Sequence, residues 1–332
     1  MPRLTQRFQK LPPYPLAHIP GRKRELLQRG VDVIDLGAGD ADLPAPPKAI
    51  AALQRAAEQP SLGRYGFGLG HVPYREAISA WMQRRFGTHF DPMTEVVPLI
   101  GSKEGLAHIA FAYLQPGDIA VVPEPAYQAY LGGAQLSGAT PFIYPLRPRT
   151  EFLIDVDELA PDIVAKTRVL YLNYPNNPTT AIAPRDYLQR VVRFCQDNDV
   201  LLAFDNAYSE LAFDGYVPPS IFEIDGARDV AIEFHSMSKT YNMTGWRCGW
   251  AVAKPDITSA LAKVKTFVDT GHFMGIQAAG VAALESYDEF VPANVEVFRE
   301  RRDAAVDAFR AAGFVCESPR ATMYLWISLP EG

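Results

Sequence analysis

The chain has 332 residues, 48% of them apolar and 21% charged, with a net charge of −6. That length suits one large α/β domain with a smaller annex, and the apolar share supports a sizeable core. The acidic balance, with a pI of about 5.6, argues against nucleic acid or an anionic membrane as partner, since both need a basic face.

Three cysteines, Cys195, Cys248 and Cys316, are odd in number and far apart, so neither a disulfide framework nor a zinc site is suggested. The opening MPRLTQRFQK lacks the apolar stretch of a signal peptide. No apolar run approaches the ~20 residues needed to span a bilayer. A soluble, cytoplasmic protein is expected.

The first 30 residues read as an arm with Pro12, Pro13, Pro15 and Pro20, of the kind that packs on a partner subunit, with a short helix at 22–28. Residues 31–36 (VDVIDL) predict a strand leading into Gly37-Ala38-Gly39-Asp40, where backbone can approach a ligand. A G-x-G after a strand hints at dinucleotide binding. Here the third glycine is missing, and Pro44, Pro46 and Pro47 interrupt any helix that should follow. Helices are expected at 47–57 and 74–86, around a glycine-rich segment at 63–70.

From residue 96 the pattern alternates. Strands are expected at 96–100, 119–122, 141–145, 169–173, 200–204, 230–234 and 248–253. Between them fall helices at 101–114, just after Tyr127, at 156–164 and at 185–198. This alternation predicts an α/β fold with a mostly parallel sheet and helices on both faces. Beyond Pro255, helices at 257–270, 274–287 and 292–312 precede two strands, 314–318 and 323–329. The expected division is an N-terminal arm and start of a small domain (1–45), a large domain (46–290) and an incomplete C-terminal small α+β domain (291–332).

Ligands of such sheets bind outside the carboxyl ends of the strands, and the unusual residues collect there. In EFHSMSKTYNMTGWRCG (233–249), Lys239 follows Ser236 and Ser238, and Arg247 lies between two glycines. An amine nucleophile needs a carbonyl partner, while the hydroxyls and the arginine suit a phosphate. One ligand carrying both is pyridoxal phosphate, held by Lys239 as a Schiff base. Alone, the stretch also suits a surface lysine and arginine in a serine-rich turn.

Asp205 ends the apolar strand LLAFD, where a carboxylate is costly unless paired. It suits a pyridinium nitrogen, or else a helix cap or a core salt bridge. Tyr208 and Asn177 can donate to the ring phenolate oxygen, although Asn177-Pro178 is also an ordinary turn signal. Tyr127 can lie on a flat heterocycle or serve as a core aromatic. Ser102 and Lys103 open a helix after a strand, where backbone N–H groups favour an anion and where serine is also a common cap.

With these residues in hand, the chain resembles the fold-type I pyridoxal-phosphate enzymes, of aspartate aminotransferase-like fold, in their class I/II aminotransferase branch. The resemblance runs from VIDLGAGDADLP to TMYLWISLP. Within that branch LIGSKEG, NYPNNPT, AFDGYVPPS and EFHSMSKTYNMTGWR look most like LL-diaminopimelate aminotransferases and their close relatives. It implies pyridoxal 5'-phosphate bound to Lys239, which also shuttles the substrate proton. Asp205 then holds the pyridinium, Asn177 and Tyr208 the phenolate oxygen, and Tyr127 stacks on the ring. Ser102, Lys103, Ser236, Ser238 and Arg247 surround the phosphate. Tyr65 reaches the phosphate of the neighbouring subunit of a homodimer, and Gly39, Tyr14 and Asn177 line the substrate pocket. No metal is implied.

Two departures stand out. Thr180 follows NPT where the family continues with glycine, which is strained if φ is positive there. The sequence ends at Leu329-Pro330-Glu331-Gly332, where relatives continue to an arginine that grips the substrate carboxylate, so a fragment or a truncated protein is expected. The implied reaction is transamination, with LL-2,6-diaminopimelate and 2-oxoglutarate as the expected pair, in lysine biosynthesis. The alternatives are an aminotransferase for alanine, aspartate or aromatic substrates, a carbon–sulfur β-lyase of the same fold, and a truncated non-catalytic cofactor-binding protein.

Overall fold

The run Thr167–Asn173 shows why this chain builds a sheet covered on both sides. Leu170 and Leu172 enter one core while Val169 and Tyr171 enter another, as the two-residue period of a strand requires. The computed structural model describes residues 2–13, 17–37 and 39–329. Its seven strands are β1 (Val96–Leu99), β2 (Ile119–Glu124), β3 (Thr140–Pro145), β4 (Thr167–Asn173), β5 (Leu201–Asp205), β6 (Ala231–Ser236) and β7 (Gly249–Ala253). They form one sheet in the order β1-β7-β6-β5-β4-β2-β3. The pairs β2–β3, β2–β4, β4–β5 and β5–β6 are parallel, and β7 runs against both of its neighbours.

One face is covered by the helix Arg185–Asp197, which turns Tyr187, Leu188, Val191, Val192 and Cys195 inward at helical spacing. The opposite face carries Ser102–Tyr113, Gln128–Ser137 and Pro255–Val268, which contribute Leu106, Ile109, Tyr130, Ala134, Ile257 and Leu261. Gly133 lets two of these helices touch, since a Cβ there would lie 3.0 Å from the backbone oxygen of Ala107. A third core gathers Pro47–Ala57, Val72–Phe86 and Met274–Glu285 around Trp81 and Trp250. The long helix Tyr287–Ala311 is tied to the loop between β5 and β6 by the Arg302–Asp214 ion pair, 2.6 Å long. Beyond that helix, Thr322 N–H donates to the Leu211 carbonyl at 2.8 Å.

The expected elements from 47 to 57, 74 to 86 and 96 to 253 form to within a few residues, with one exception. The helix expected over 156–164 is two pieces, Val156–Glu158 and Pro161–Val164. Ala160 is extended (φ −61°, ψ 143°) because the ring of Pro161 crowds a helical conformation in the residue before it. The last helix starts at Tyr287 rather than 292, with Pro292 inside it. A proline there gives up its own bond to the turn before and crowds the carbonyl four residues back, a local cost at the start of a 25-residue helix.

The strands expected at 31–36, 314–318 and 323–329 do not form. Apolar alternation marks a chain able to be a strand, but a strand also needs a neighbour for its N–H and C=O groups. These segments have no ladder partner among the described residues, and Ile34, Leu36, Val315 and Leu329 are each at least 79% exposed.

The glycine-rich stretch 63–70 is fixed without regular structure. Arg75, buried in the helix Val72–Phe86, donates to the carbonyls of Gly68 and Pro92 at 3.0 Å, and also to those of Leu69 and Val96. Burial pulls its pKa down to about 10, still well above neutral pH. Arg75→Met keeps the apolar stem but leaves these carbonyls unpaired. It should cost about 3 kcal/mol in urea unfolding and make residues 63–70 the first point of limited proteolysis.

Candidate active site

The sheet register lines up the site. Asn173 is level with Asp205, Asp205 with Phe234, Ser236 with Gly249, and Gly249 with Leu99. The carboxyl ends of β1, β4, β5 and β6 therefore share one edge. Because β7 is reversed, its amino end meets the same edge and delivers Arg247, which precedes it.

Lys239 lies in the single turn Met237–Thr240, capped by Ser236, whose Oγ accepts from the Ser238 N–H at 3.2 Å. The lysine ammonium donates to the carbonyl of Gly39. Burial lowers its pKa, the Arg247 charge lowers it further, and Asp40 opposes both. Arg247 has φ +57° and donates to the Thr244 carbonyl at 2.8 Å. Its guanidinium lies against Gly101, where a Cβ would stand 2.6 Å from Nη2. Gly101 (φ +71°) immediately precedes Ser102, the buried first residue of the helix Ser102–Tyr113. Arg247, the start of that helix and the Ser236–Ser238 turn thus form a cup able to hold an anion. Lys103 is turned elsewhere, with its ammonium 5.5 Å over the ring of Tyr127.

Asp205 is 4% exposed. Its backbone carbonyl accepts from Asn173 Nδ2 at 2.8 Å, and Tyr130 OH donates to its Oδ2 at 2.6 Å. The other oxygen, Oδ1, is buried with no hydrogen-bond partner. Burial raises the carboxyl pKa to about 6, against the opposing pull of Tyr130, the Ala207 N–H and His235. A buried acceptor without a donor fits a protonated ring nitrogen, which would satisfy it and hold it ionised.

On the near side, the Asn177 N–H donates to Asn173 Oδ1 at 2.7 Å and its Nδ2 to Tyr208 OH at 3.2 Å. The Tyr208 hydroxyl also shares a 2.8 Å hydrogen bond with Tyr324 OH. Tyr324 closes over Gly39, where a Cβ would lie 2.7 Å from its hydroxyl. Thr180 has φ +63°, so the β-branched residue does occupy the region that glycine favours.

Lys239, Arg247, Gly39, Ser102, Ser236 and Ser238 thus adjoin one another, and Asp205, Asn177 and Tyr208 form a linked group on the same strand ends. Tyr65 stands apart, 73% exposed, with its ring 5.8 Å from that of Phe67. Tyr14 lies outside the described residues. Sequence reasoning missed Tyr130, Asn173 and Tyr324. The signal for Tyr130 was its place three residues after Tyr127 at the start of a helix, and for Asn173 its place at the end of the strand beside Asp205.

The family model for aminotransferase class I and II matches residues 31–332. The LL-diaminopimelate aminotransferase of Aquifex aeolicus is 44% identical over 328 residues, covering 99% of this chain and 85% of that protein. Among solved structures, substrate-bound BacF from Bacillus subtilis superposes with a TM-score of 0.95 at 34% identity, covering 99% of this chain and 84% of that one. A single mutant of Thermus thermophilus aspartate aminotransferase gives 0.90 at 28% identity, covering 97% and 84%. The chain belongs to the class I and II aminotransferases and has their aspartate aminotransferase-like fold. It is an enzyme whose substrates are an amino acid and a 2-oxo acid.

The raised pKa of Asp205 sets a pH dependence. The folded chain binds this proton more tightly than the unfolded chain, whose aspartates titrate near 3.8, so the carboxyl favours folding at pH 4 and loses that contribution as pH rises through 6. In cofactor-free protein, Asp205→Asn should therefore raise stability by about 1–3 kcal/mol above pH 6, with the gain vanishing near pH 4. Urea denaturation across that range reads it.

Proposed function

We propose that this chain is a pyridoxal 5'-phosphate enzyme transferring the amino group of LL-2,6-diaminopimelate to 2-oxoglutarate, in lysine biosynthesis. The observation that carries this reading is 41–44% identity over 99% of the chain to relatives bearing the name LL-diaminopimelate aminotransferase. The unpartnered Oδ1 of Asp205 and the cup around Arg247 support the cofactor.

When bound, pyridoxal phosphate supplies an aldehyde that takes up amino groups and a ring that withdraws electrons from the substrate α-carbon. Lys239 would hold it covalently, Asp205 would face its ring nitrogen, and Asn177 and Tyr208 its phenolate oxygen. Tyr127 would lie on the ring, while Ser102, Ser236, Ser238, Arg247 and the backbone N–H of Lys103, rather than its side chain, would hold the phosphate. Burial lowers the pKa of the Lys239 amine, which increases the neutral fraction able to take a proton from the α-carbon and return it. Gly39 and Tyr14 would line the substrate side.

The active form in this reading is a homodimer. Gly66, Phe67, Gly68 and Gly70 line a cavity of about 200 Å³ with the end of Pro255–Val268, and Tyr65, Phe67 and Phe267 stand exposed on or beside these segments, an apolar group suited to a second copy. Tyr65 would reach the partner's phosphate. Residues 46–290 would form the large domain, and 1–45 with 291–332 the small one. A cytoplasmic location accords with three unpaired, buried cysteines. No helix among the described residues is long and apolar enough to cross a membrane.

Borohydride treatment of cofactor-loaded protein should fix the label at Lys239, and Lys239→Ala should slow conversion of bound cofactor by LL-diaminopimelate about 10²–10⁴-fold. A panel of amino donors decides the substrate. Preference for alanine, aspartate or an aromatic amino acid, or pyruvate release from cystathionine without an oxo acid, overturns the diaminopimelate assignment.

A further inference from the structure

We propose that Tyr130 is a positioning residue for Asp205: from inside the core it holds one carboxylate oxygen, and so fixes the other toward the cofactor's ring nitrogen. This rests on the cofactor reading above and extends it to a side chain that touches neither substrate nor cofactor.

A carboxylate has two equivalent oxygens, and nothing in its own chemistry selects which one meets a partner. Here the surroundings select. Tyr130 OH donates to Oδ2 at 2.6 Å, while Oδ1 is buried and has no donor. The donor cannot wander. Tyr130 is fully buried and stacks on Tyr171 with ring centroids 5.0 Å apart and planes at 14°. Tyr171 is itself anchored through its hydroxyl to the Leu106 carbonyl at 3.2 Å. Tyr127 meets Tyr130 edge-on, at 6.0 Å and 80°.

Nor can the donor lose its proton in the working pH range, because burial and the adjacent carboxylate push the Tyr130 pKa well above the ordinary 10. The other titratable groups acting on Asp205 are His235 and Tyr208. Neither hydrogen-bonds the carboxylate, and the Ala207 N–H that also favours its ionised form is a fixed backbone group. Tyr130 is thus the side chain that hydrogen-bonds it and orients it. A hydrogen bond to a charged group is stronger than one between neutral groups. Tyr130 therefore also favours the ionised carboxylate that a protonated ring nitrogen requires.

The test is made first on cofactor-free full-length protein. The carboxyl band of Asp205 is identified by infrared difference against Asp205→Asn and titrated with pH. Tyr130→Phe keeps the ring stacked on Tyr171 and removes only the donor. Its carboxyl midpoint should rise by about one pH unit. With cofactor restored, the same variant should bind pyridoxal phosphate about tenfold more weakly and lose kcat, with KM for the amino donor nearly unchanged.

An unmoved carboxyl midpoint overturns the proposal. Should Tyr130→Phe not fold, 3-fluorotyrosine at position 130, a more acidic phenol and hence a stronger donor, should move the midpoint down; no movement there overturns it as well. The midpoint is read without cofactor. Its failure therefore leaves the cofactor reading standing, while failure of borohydride to label Lys239 sinks that reading and leaves the midpoint intact.

Discussion

Everything at the strand ends is arranged around a carboxylate that the fold buries but only half satisfies. Leaving one buried oxygen of Asp205 without a donor costs about 1–3 kcal/mol. The surroundings limit that cost without removing it. Tyr130 takes the second oxygen, and Asn173 holds the backbone carbonyl. An apolar residue at 205 would have avoided the cost, so the position is built for something the chain alone does not supply. The family assignment and the cup at Arg247 point to the same guest from the opposite side of the site.

The reversed strand β7 is the second constraint. Were it parallel like the rest, the residue before it would sit at the far edge of the sheet. Running backward, it sets Arg247 beside the first turn of Ser102–Tyr113 and brings Gly249 level with both Ser236 and Leu99. Two positive φ values, at Gly101 and Arg247, let the two backbones close on each other. Glycine meets that demand at 101, where a methyl group would collide with the guanidinium. Arg247 meets it with a side chain in place, at a cost in backbone strain that the surrounding contacts hold.

Much of this was legible in the sequence, for physical reasons that differ by element. The sheet was readable because buried parallel strands are continuous apolar runs, and LYLN, LLAFD and IEFHS end in the polar residues that form the site. Lys239, Arg247 and Asp205 were readable because charge is expensive where those strands end. The strain at Thr180 was readable from the motif alone, and its φ of +63° bears that out.

For Tyr130 the sequence offered only its spacing from Tyr127, which does not say where its hydroxyl points. A tyrosine in AYQAYLGGAQ looks like core packing, and only the three-dimensional path of that helix turns its hydroxyl toward residue 205. The strands expected at 31–36, 314–318 and 323–329 failed for a different reason, because alternation along one segment says nothing about whether a second segment lies beside it. The break at Pro161 was a local signal that the apolar periodicity outweighed.

The sheet order also carries a message about biosynthesis. Among the described residues β1 is made before the other six strands of the sheet, yet its one partner there is β7, and Val96 must wait for Val252. Through the emergence of five intervening strands its edge stays open, a long-range closure of the kind that slows folding and exposes nascent chains to misassociation. Its short length, with Pro98 among its four residues, blunts that edge while it waits.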